Sequence, residues 1–448
     1  MDARASEVSA AERTSGPRIL NRPSETRSSS SRTLSRRGPS RIERRLVHRL
    51  LSALPELPLA VVLWNGEELR ACPKPARYRV RPADRGALWR LVSDPLYQFG
   101  ELYSEKRLEF EGDLVELLVA VEHALRDSSH RLLNSPLSQL LHRPRRNTLS
   151  GSRRHIHHHY DISNDFYRLW LDEQLVYTCA YFSEPEMKLE AAQIAKLDHV
   201  CRKMLLRPGQ AVIEAGCGWG ALAIHMARNY GVTVRAFNIS HEQVAYARKR
   251  ARHEGLDGRV EFVEDDWRNI TGRCEAFVSV GMLEHVGPQN YEELGNVIHR
   301  CLMPHGLGLI HTIGRNRPRL VTPWIERRIF PGGQPPSLGQ MMAIFESHDF
   351  SVLDVENLRL HYAETLRHWL LRFDRAEDSI RAMLDERFVR TWRLYLAGSV
   401  AAFESGGMQL FQVVFAHGRN NMLPRSRAEL YGAGRVPLFA EDGAREAC

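Results

Sequence analysis

Apolar positions along this chain change their period in a regular way. Residues 211–215 form a short apolar run that carries Glu214 near its end. The turn 216–220 holds three glycines, and 221–227 returns to helical spacing. This reads as strand, tight turn and helix, the opening unit of a doubly wound sheet. The alternation continues with a strand at 232–238, a helix at 241–254, strands at 259–263 and 275–280, a helix at 290–302 and a strand at 306–313. Later helices and a strand at 408–415 follow, and a helix at 186–206 precedes the glycine turn. Strands alternating with helices predict an α/β fold on a largely parallel sheet. Upstream, 42–54 predicts a basic amphipathic helix with Leu46, Val47, Leu50 and Leu51 on one face. Strands at 59–64 and 78–80 and helices at 88–92 and 113–125 complete a small α+β domain over 42–141. The apolar stripe of 42–54 is expected to pack on that domain in preference to lipid.

Residues 1–41 break the pattern: they are rich in Arg, Ser and Pro and are expected to be disordered. Their acids, Asp2, Glu7, Glu12 and Glu25, argue against a transit peptide. A polar linker, 142–159, carries Arg143, Arg145, Arg146, Arg153 and Arg154 and ends in a histidine-rich run. It lacks the acidic or cysteine partners of a closed metal site, so no metal is expected. The main domain is placed at 160–418 and a tail at 419–448. A net charge of +8 and a pI near 9.2 point to an acidic partner, nucleic acid or anionic lipid. The 7 cysteines are scattered without paired spacing, which suggests reduced thiols. No run approaches the roughly 18 apolar residues of a membrane span.

The candidate chemistry lies at strand ends. In an open α/β sheet a ligand sits beyond the carboxyl edge, where a glycine turn brings backbone amides close. The strand 232–238 ends in Asn238 and not in the acid a dinucleotide fold requires, which argues against NAD. An acid followed by alternate glycines is similar to the first motif of S-adenosylmethionine (SAM) methyltransferases. The strands 275–280 and 306–313 bring Glu284 and His311 to the same edge. Such a pair either handles a proton or simply ties two loops together.

Eight stretches carry a wider resemblance: 160–167 (YDISNDFY), 177–182 (YTCAYF), 214–220 (EAGCGWG), 279–287 (SVGMLEHVG), 311–314 (HTIG), 329–333 (IFPGG), 361–366 (HYAETL) and 409–415 (QLFQVVF). In this order they resemble the cyclopropane-fatty-acyl-phospholipid synthases. The small domain also resembles that family's N-terminal domain, around 99–103 and 111–114. The resemblance implies a Rossmann-like class I SAM methyltransferase with a mostly parallel seven-stranded sheet. The implied reaction is methylene transfer from SAM to the cis double bond of a phospholipid acyl chain. The alkene takes the methyl group, a carbocation forms, and bound bicarbonate removes a proton as the ring closes. Loss of a different proton would leave a methyl or methylene branch.

Carried over by motif, the bicarbonate site is Cys179, Glu284, His311, the Ile313 backbone and Tyr362. For SAM the resemblance implies Tyr160 near the sulfonium, with Glu214, Gly216 and Gly218 around the amino-acid part. Asn238, Ile239, Ser240 and Gln243 fall near the ribose, and Asp266 and Trp267 near adenine. Aromatic faces for the cation are expected from Tyr160, Tyr177, Tyr181 and Phe182. The family usually has Asp at Glu214 and commonly Thr at Asn238. Several members carry Cys at Ser399, but the implied chemistry needs no protein nucleophile. The expected partners are phospholipid acyl chains at an anionic membrane surface. The expected place is the cytoplasm, peripherally on the inner face of the membrane, with a homodimer left open. A basic nucleic-acid-binding protein is the competing class, but no RNA-reading module is recognisable and no nucleic acid is expected.

Overall fold

A computed structural model describes residues 38–127, 163–423 and 426–427. The N-terminal tail through 37, the whole linker 142–159, Tyr160 and most of the C-terminal tail lie outside the described residues. The described residues from Pro39 onward belong to one compact unit.

The first sheet has four strands: β1 (Leu59–Val62), β2 (Glu68–Arg70), β3 (Tyr78–Pro82) and β4 (Leu108–Glu111). Their order is β2-β1-β3-β4, with β1 and β3 parallel. The pattern had not predicted β2 or β4. Both alternate apolar and charged residues, but over only three and four residues, too short a run to stand out in sequence. The helix expected at 42–54 runs Arg41–Leu51, fixed at its start by a Ser40–Glu43 capping box. Val47 and Leu51 are buried in the core of this sheet, so the stripe packs inward.

The second sheet has seven strands: β5 (Ala211–Ala215), β6 (Thr233–Asn238), β7 (Val260–Glu264), β8 (Cys274–Val280), β9 (Leu302–Gly314), β10 (Phe350–Asn357) and β11 (Gln409–His417). The order is β10-β11-β9-β8-β5-β6-β7. Only β11 runs antiparallel to its neighbours, so the sheet is mostly parallel, as expected for this α/β class. Strand order reverses between β5 and β8, which opens a crevice at their carboxyl ends. β10 had not been predicted. Its Asp354 and Glu356 look like surface positions in sequence but pair with Lys203 and His199 of the helix Leu189–Lys203.

A helical cap, Arg359–Arg375 and Glu386–Glu404, closes over the crevice on an aromatic core of Phe166, Tyr167, Trp170, Trp369 and Trp392. The four-stranded layer docks on this cap and on the helix Pro323–Arg328. Arg328 Nε meets Glu101 Oε1 at 2.7 Å, and Arg390 donates to the Leu108 carbonyl at 3.0 Å while covering the Tyr103 ring.

Packing between β9 and β11 leaves no room at Gly308, where a Cβ would sit 2.1 Å from the Phe415 ring. That ring is held against Phe345 and Phe350. Gly308→Ala is therefore expected to destabilise the fold by about 1–3 kcal/mol, through overpacking. A chemical denaturation midpoint equal to wild type would show that the ring relaxes freely.

Candidate active site

Glu214 ends the apolar run of β5, and the glycines beyond it let the chain turn back into the helix Ala221–Tyr230. Gly216 and Gly220 are required by space: a Cβ would stand 2.9 Å from Met282 at the first and 2.6 Å from Phe262 at the second. Gly218 differs. Its φ is +52°, yet nothing lies within 4 Å of where a Cβ would be. It faces an open cavity. The amides of Gly216 and Cys217 both donate to the Phe237 carbonyl, at 2.9 and 3.1 Å, which pins the turn to β6.

Glu214, Gly216, Gly218, Asn238, Ile239, Gln243, Asp266 and Trp267 all line this cavity. Ser240 does not; it is buried and caps the helix His241–His253. Asn238 lines the cavity, but its side chain is already committed. Its Nδ2 donates to Gln243 Oε1 at 2.7 Å and to the Gly218 carbonyl at 3.2 Å, and its Oδ1 accepts from the Ile239 amide at 2.8 Å. It latches the glycine turn to the next loop, which accounts for a residue that is neither acid nor Thr. The Asp266 carboxylate is likewise held by Arg268, whose guanidinium lies 4.4 Å from the Trp267 ring.

The Glu214 side chain is buried and its Oε2 has no hydrogen-bond partner among the described residues. Burial pushes its carboxyl up to about 8, against the pull of Lys196. Lys196 was not picked out by the sequence, yet it also lines the cavity and donates to Thr178 Oγ1 at 3.0 Å. Burial lowers its ammonium to about 8. An orphaned carboxylate oxygen and an open glycine turn fit the ammonium and amino-acid part of SAM.

A second group of side chains lies at the ends of β8 and β9. Glu284 sits in a short turn, Leu283–His285, and its Oε1 accepts from the Ile313 amide at 2.5 Å. Its Oε2 is buried without a partner. Burial raises this carboxyl to about 7, opposed by the backbone amides and the Thr312 hydroxyl. His311, on β9, accepts at Nδ1 from Gln412 Nε2 at 3.1 Å. That contact places the ring hydrogen on Nε2, which is buried and has no partner among the described residues. Burial, reinforced by the nearby Lys196, Lys203 and His199, holds the ring well below its usual pKa and so neutral.

Cys179 and Tyr362 both reach Leu358. The Cys179 thiol lies 3.9 Å from the Leu358 carbonyl, which also accepts the Tyr362 amide at 3.1 Å. Leu358 in turn donates to Leu410, the β11 partner of Ile313. These links run through the backbone of Leu358, Leu410 and the Tyr362 amide, so they connect the segments that carry Cys179, Tyr362 and Ile313 and not the Tyr362 hydroxyl or the Cys179 thiol to Glu284. Burial pushes the Cys179 thiol far up, so it remains a thiol and not a nucleophile.

The aromatic faces divide differently from expectation. Tyr177 lines the cavity, with its hydroxyl 2.9 Å from that of Tyr395 and its ring against Tyr167, Trp170 and Trp369. Tyr181 instead stacks between His199 and His361, and Phe182 stacks on His368. Neither ring lines the cavity. Among the described residues no three His, Cys, Asp or Glu side chains are arranged to hold a metal.

Residues 148–413 match the family model described as mycolic acid cyclopropane synthetase. A probable fatty acid methyltransferase of Pseudomonas putida is 36% identical over 84% of this chain and 96% of its own. The cyclopropane-fatty-acyl-phospholipid synthase of Escherichia coli K12 is 43% identical over 60% of this chain and 69% of its own. The solved cyclopropane synthase MmaA2 of Mycobacterium tuberculosis aligns with a TM-score of 0.57 at 29% identity, over 59% of this chain and 98% of that one. The mycolic acid cyclopropane synthase CmaA1, solved with SAH and CTAB, aligns at 0.56 and 30% identity, over 59% of this chain and 97% of that one. The chain belongs to the mycolic acid cyclopropane synthetase family and is a SAM-dependent methyltransferase.

Proposed function

We propose that this enzyme builds a cyclopropane ring on the cis double bond of a phospholipid acyl chain, with bicarbonate as the base. The observation that carries the reading is that Glu284 Oε2 and His311 Nε2, at the carboxyl edge of β8 and β9, are both buried with no hydrogen-bond partner among the described residues, while Met282 and His285 on either side of Glu284 line the cofactor cavity. A neutral His311 offers a hydrogen at Nε2 and the Glu284 carboxylate offers an acceptor. A small oxyanion bearing one hydroxyl satisfies both. Bicarbonate so held would take up the proton that leaves as the ring closes.

The electrophilic methyl group comes from SAM. The chain's own residues do the rest. Glu214 and the glycine turn hold the charged end of the cofactor. Tyr177 and the aromatic core around it exclude water and present ring faces to a cation. A neutral alkene is a weak nucleophile, so alignment in a dry pocket supplies much of the rate. The relative from Pseudomonas putida, matched over most of both chains, carries a name that specifies no ring. It favours a second reading in which the same cation gives a methyl or methylene branch.

The enzyme is read as peripheral, working from the membrane surface in the cytoplasm. No helix among the described residues is long and apolar enough to cross a membrane. The test is incubation of purified protein with SAM and vesicles of unsaturated phospholipid. The expected product is an acyl chain heavier by one CH2 with upfield ring protons in its NMR spectrum. A gain of carbon without those signals selects the branched product, and no gain of carbon on any acyl chain rejects both.

A further inference from the structure

We infer that the loop between β9 and the helix Pro323–Arg328 is the element that seats the enzyme on anionic phospholipid headgroups. The proposal rests on the acyl-lipid reading above and adds the surface through which the lipid arrives.

The loop begins two residues beyond Ile313 and runs Arg315-Asn316-Arg317-Pro318-Arg319-Leu320-Val321-Thr322. It is anchored at both ends. The Arg315 amide donates to the Pro336 carbonyl at 2.8 Å, and Trp324, just beyond the loop, is buried in the aromatic core. Between these anchors, Asn316 to Leu320 stand exposed. Leu320 is 59% exposed, although it is a large apolar side chain on a fixed loop. Arg317 and Arg319 precede it with no ion pair among the described residues, and no acid occurs in the sequence until Glu326. Arg315 keeps a buried Nε with no hydrogen-bond partner among the described residues, and it feels both the Glu122 carboxylate and the like charge of Arg319.

Position matters as much as charge. The loop leaves the carboxyl edge of β9, and the chain returns through Pro331 and Gly332, which line the cofactor cavity. An acyl chain lifted from a bilayer that rests on this loop therefore enters beside the reacting groups. Two uncompensated arginines beside one exposed leucine fit phosphate groups above and acyl carbons below.

The test is co-sedimentation of the full chain with phosphatidylglycerol vesicles at low and at high salt. Arg317→Gln with Arg319→Gln is expected to weaken binding about fivefold per arginine, roughly 30-fold for the pair at low salt. High salt should remove most of that difference. Leu320→Ser is expected to weaken binding about tenfold at either salt concentration. The control pair Arg207→Gln with Arg259→Gln removes the same charge from the amino edge of the sheet, where both residues are exposed. It should bind as wild type does. Equal losses in the two pairs, or none in the first, overturn the proposal. Turnover on detergent-dispersed lipid reads the activity separately: it should survive in every variant. Its absence from the wild type would count against the acyl-lipid function, and its loss only in the loop variants would place the loop in the catalytic pocket instead.

Discussion

Replacing Glu284 by Gln is expected to lower turnover by about 10²–10⁴-fold, the usual worth of a positioned proton acceptor, while SAM affinity stays near wild type. Gln keeps the size of the side chain and an oxygen for the Ile313 amide. It loses the charge and puts an NH2 where the unpartnered Oε2 stands. The pH profile supplies a second signature. Burial raises this carboxyl to about 7, so wild-type activity should climb as pH rises through that value and Glu284 ionises. The climb should be missing from the variant's residual activity. Stability moves the other way. A folded-state pKa above the unfolded value means that stability is fully present below the unfolded pKa and is lost as pH rises through about 7. Gln carries no such penalty, so the variant should melt no lower than wild type above that pH. Tyr362→Phe removes a hydroxyl that the family motif assigns to the same base site, and should also lower turnover more than SAM affinity. Full turnover in both variants would remove the proposed base site.

Gly218→Val is expected to weaken SAM binding about 100-fold or more, the largest effect on the cofactor side. The protein itself leaves room, since no atom lies within 4 Å of the added Cβ. The loss therefore has two sources. A β-branched residue at a φ of +52° is strained, at about 1–3 kcal/mol, and its side chain fills space that the ligand needs. Gly218→Ala should show a smaller loss, because Ala lacks the branch. Calorimetry reads the affinity, and a melting curve checks that the fold persists. Unchanged SAM affinity in the Val variant would separate this turn from the cofactor.

Much of the fold is legible in the chain because its signals are local. The run into Glu214, the three glycines and the following helical spacing lie within about twenty residues. Neighbouring side chains set the period, and a glycine at positive φ marks a turn wherever it falls. The alternation of strands and helices that predicts a parallel sheet is of the same kind. The motifs that relate this chain to its family are short contiguous stretches as well.

Tertiary structure decided what depends on residues far apart. β10 was hidden because Asp354 and Glu356 look solvated until Lys203 and His199 arrive from a helix some 150 residues earlier. Asn238 could be placed near the cofactor by motif, but only the meeting of three loops shows its side chain spent on Gln243 and Gly218. Lys196 lies on a helix of mixed sequence, and no local pattern reveals that Lys196 is buried there while Ile194 is exposed. Tyr181 sits in a family motif, yet it is placed between two histidines by stacking that no spacing encodes. Glu284 and Ile313 are brought together by the register of β8 against β9. Sequence period carries the conformation of each segment. Which buried charge meets which partner follows from strand order and register, and these are settled only when the whole sheet closes on its core.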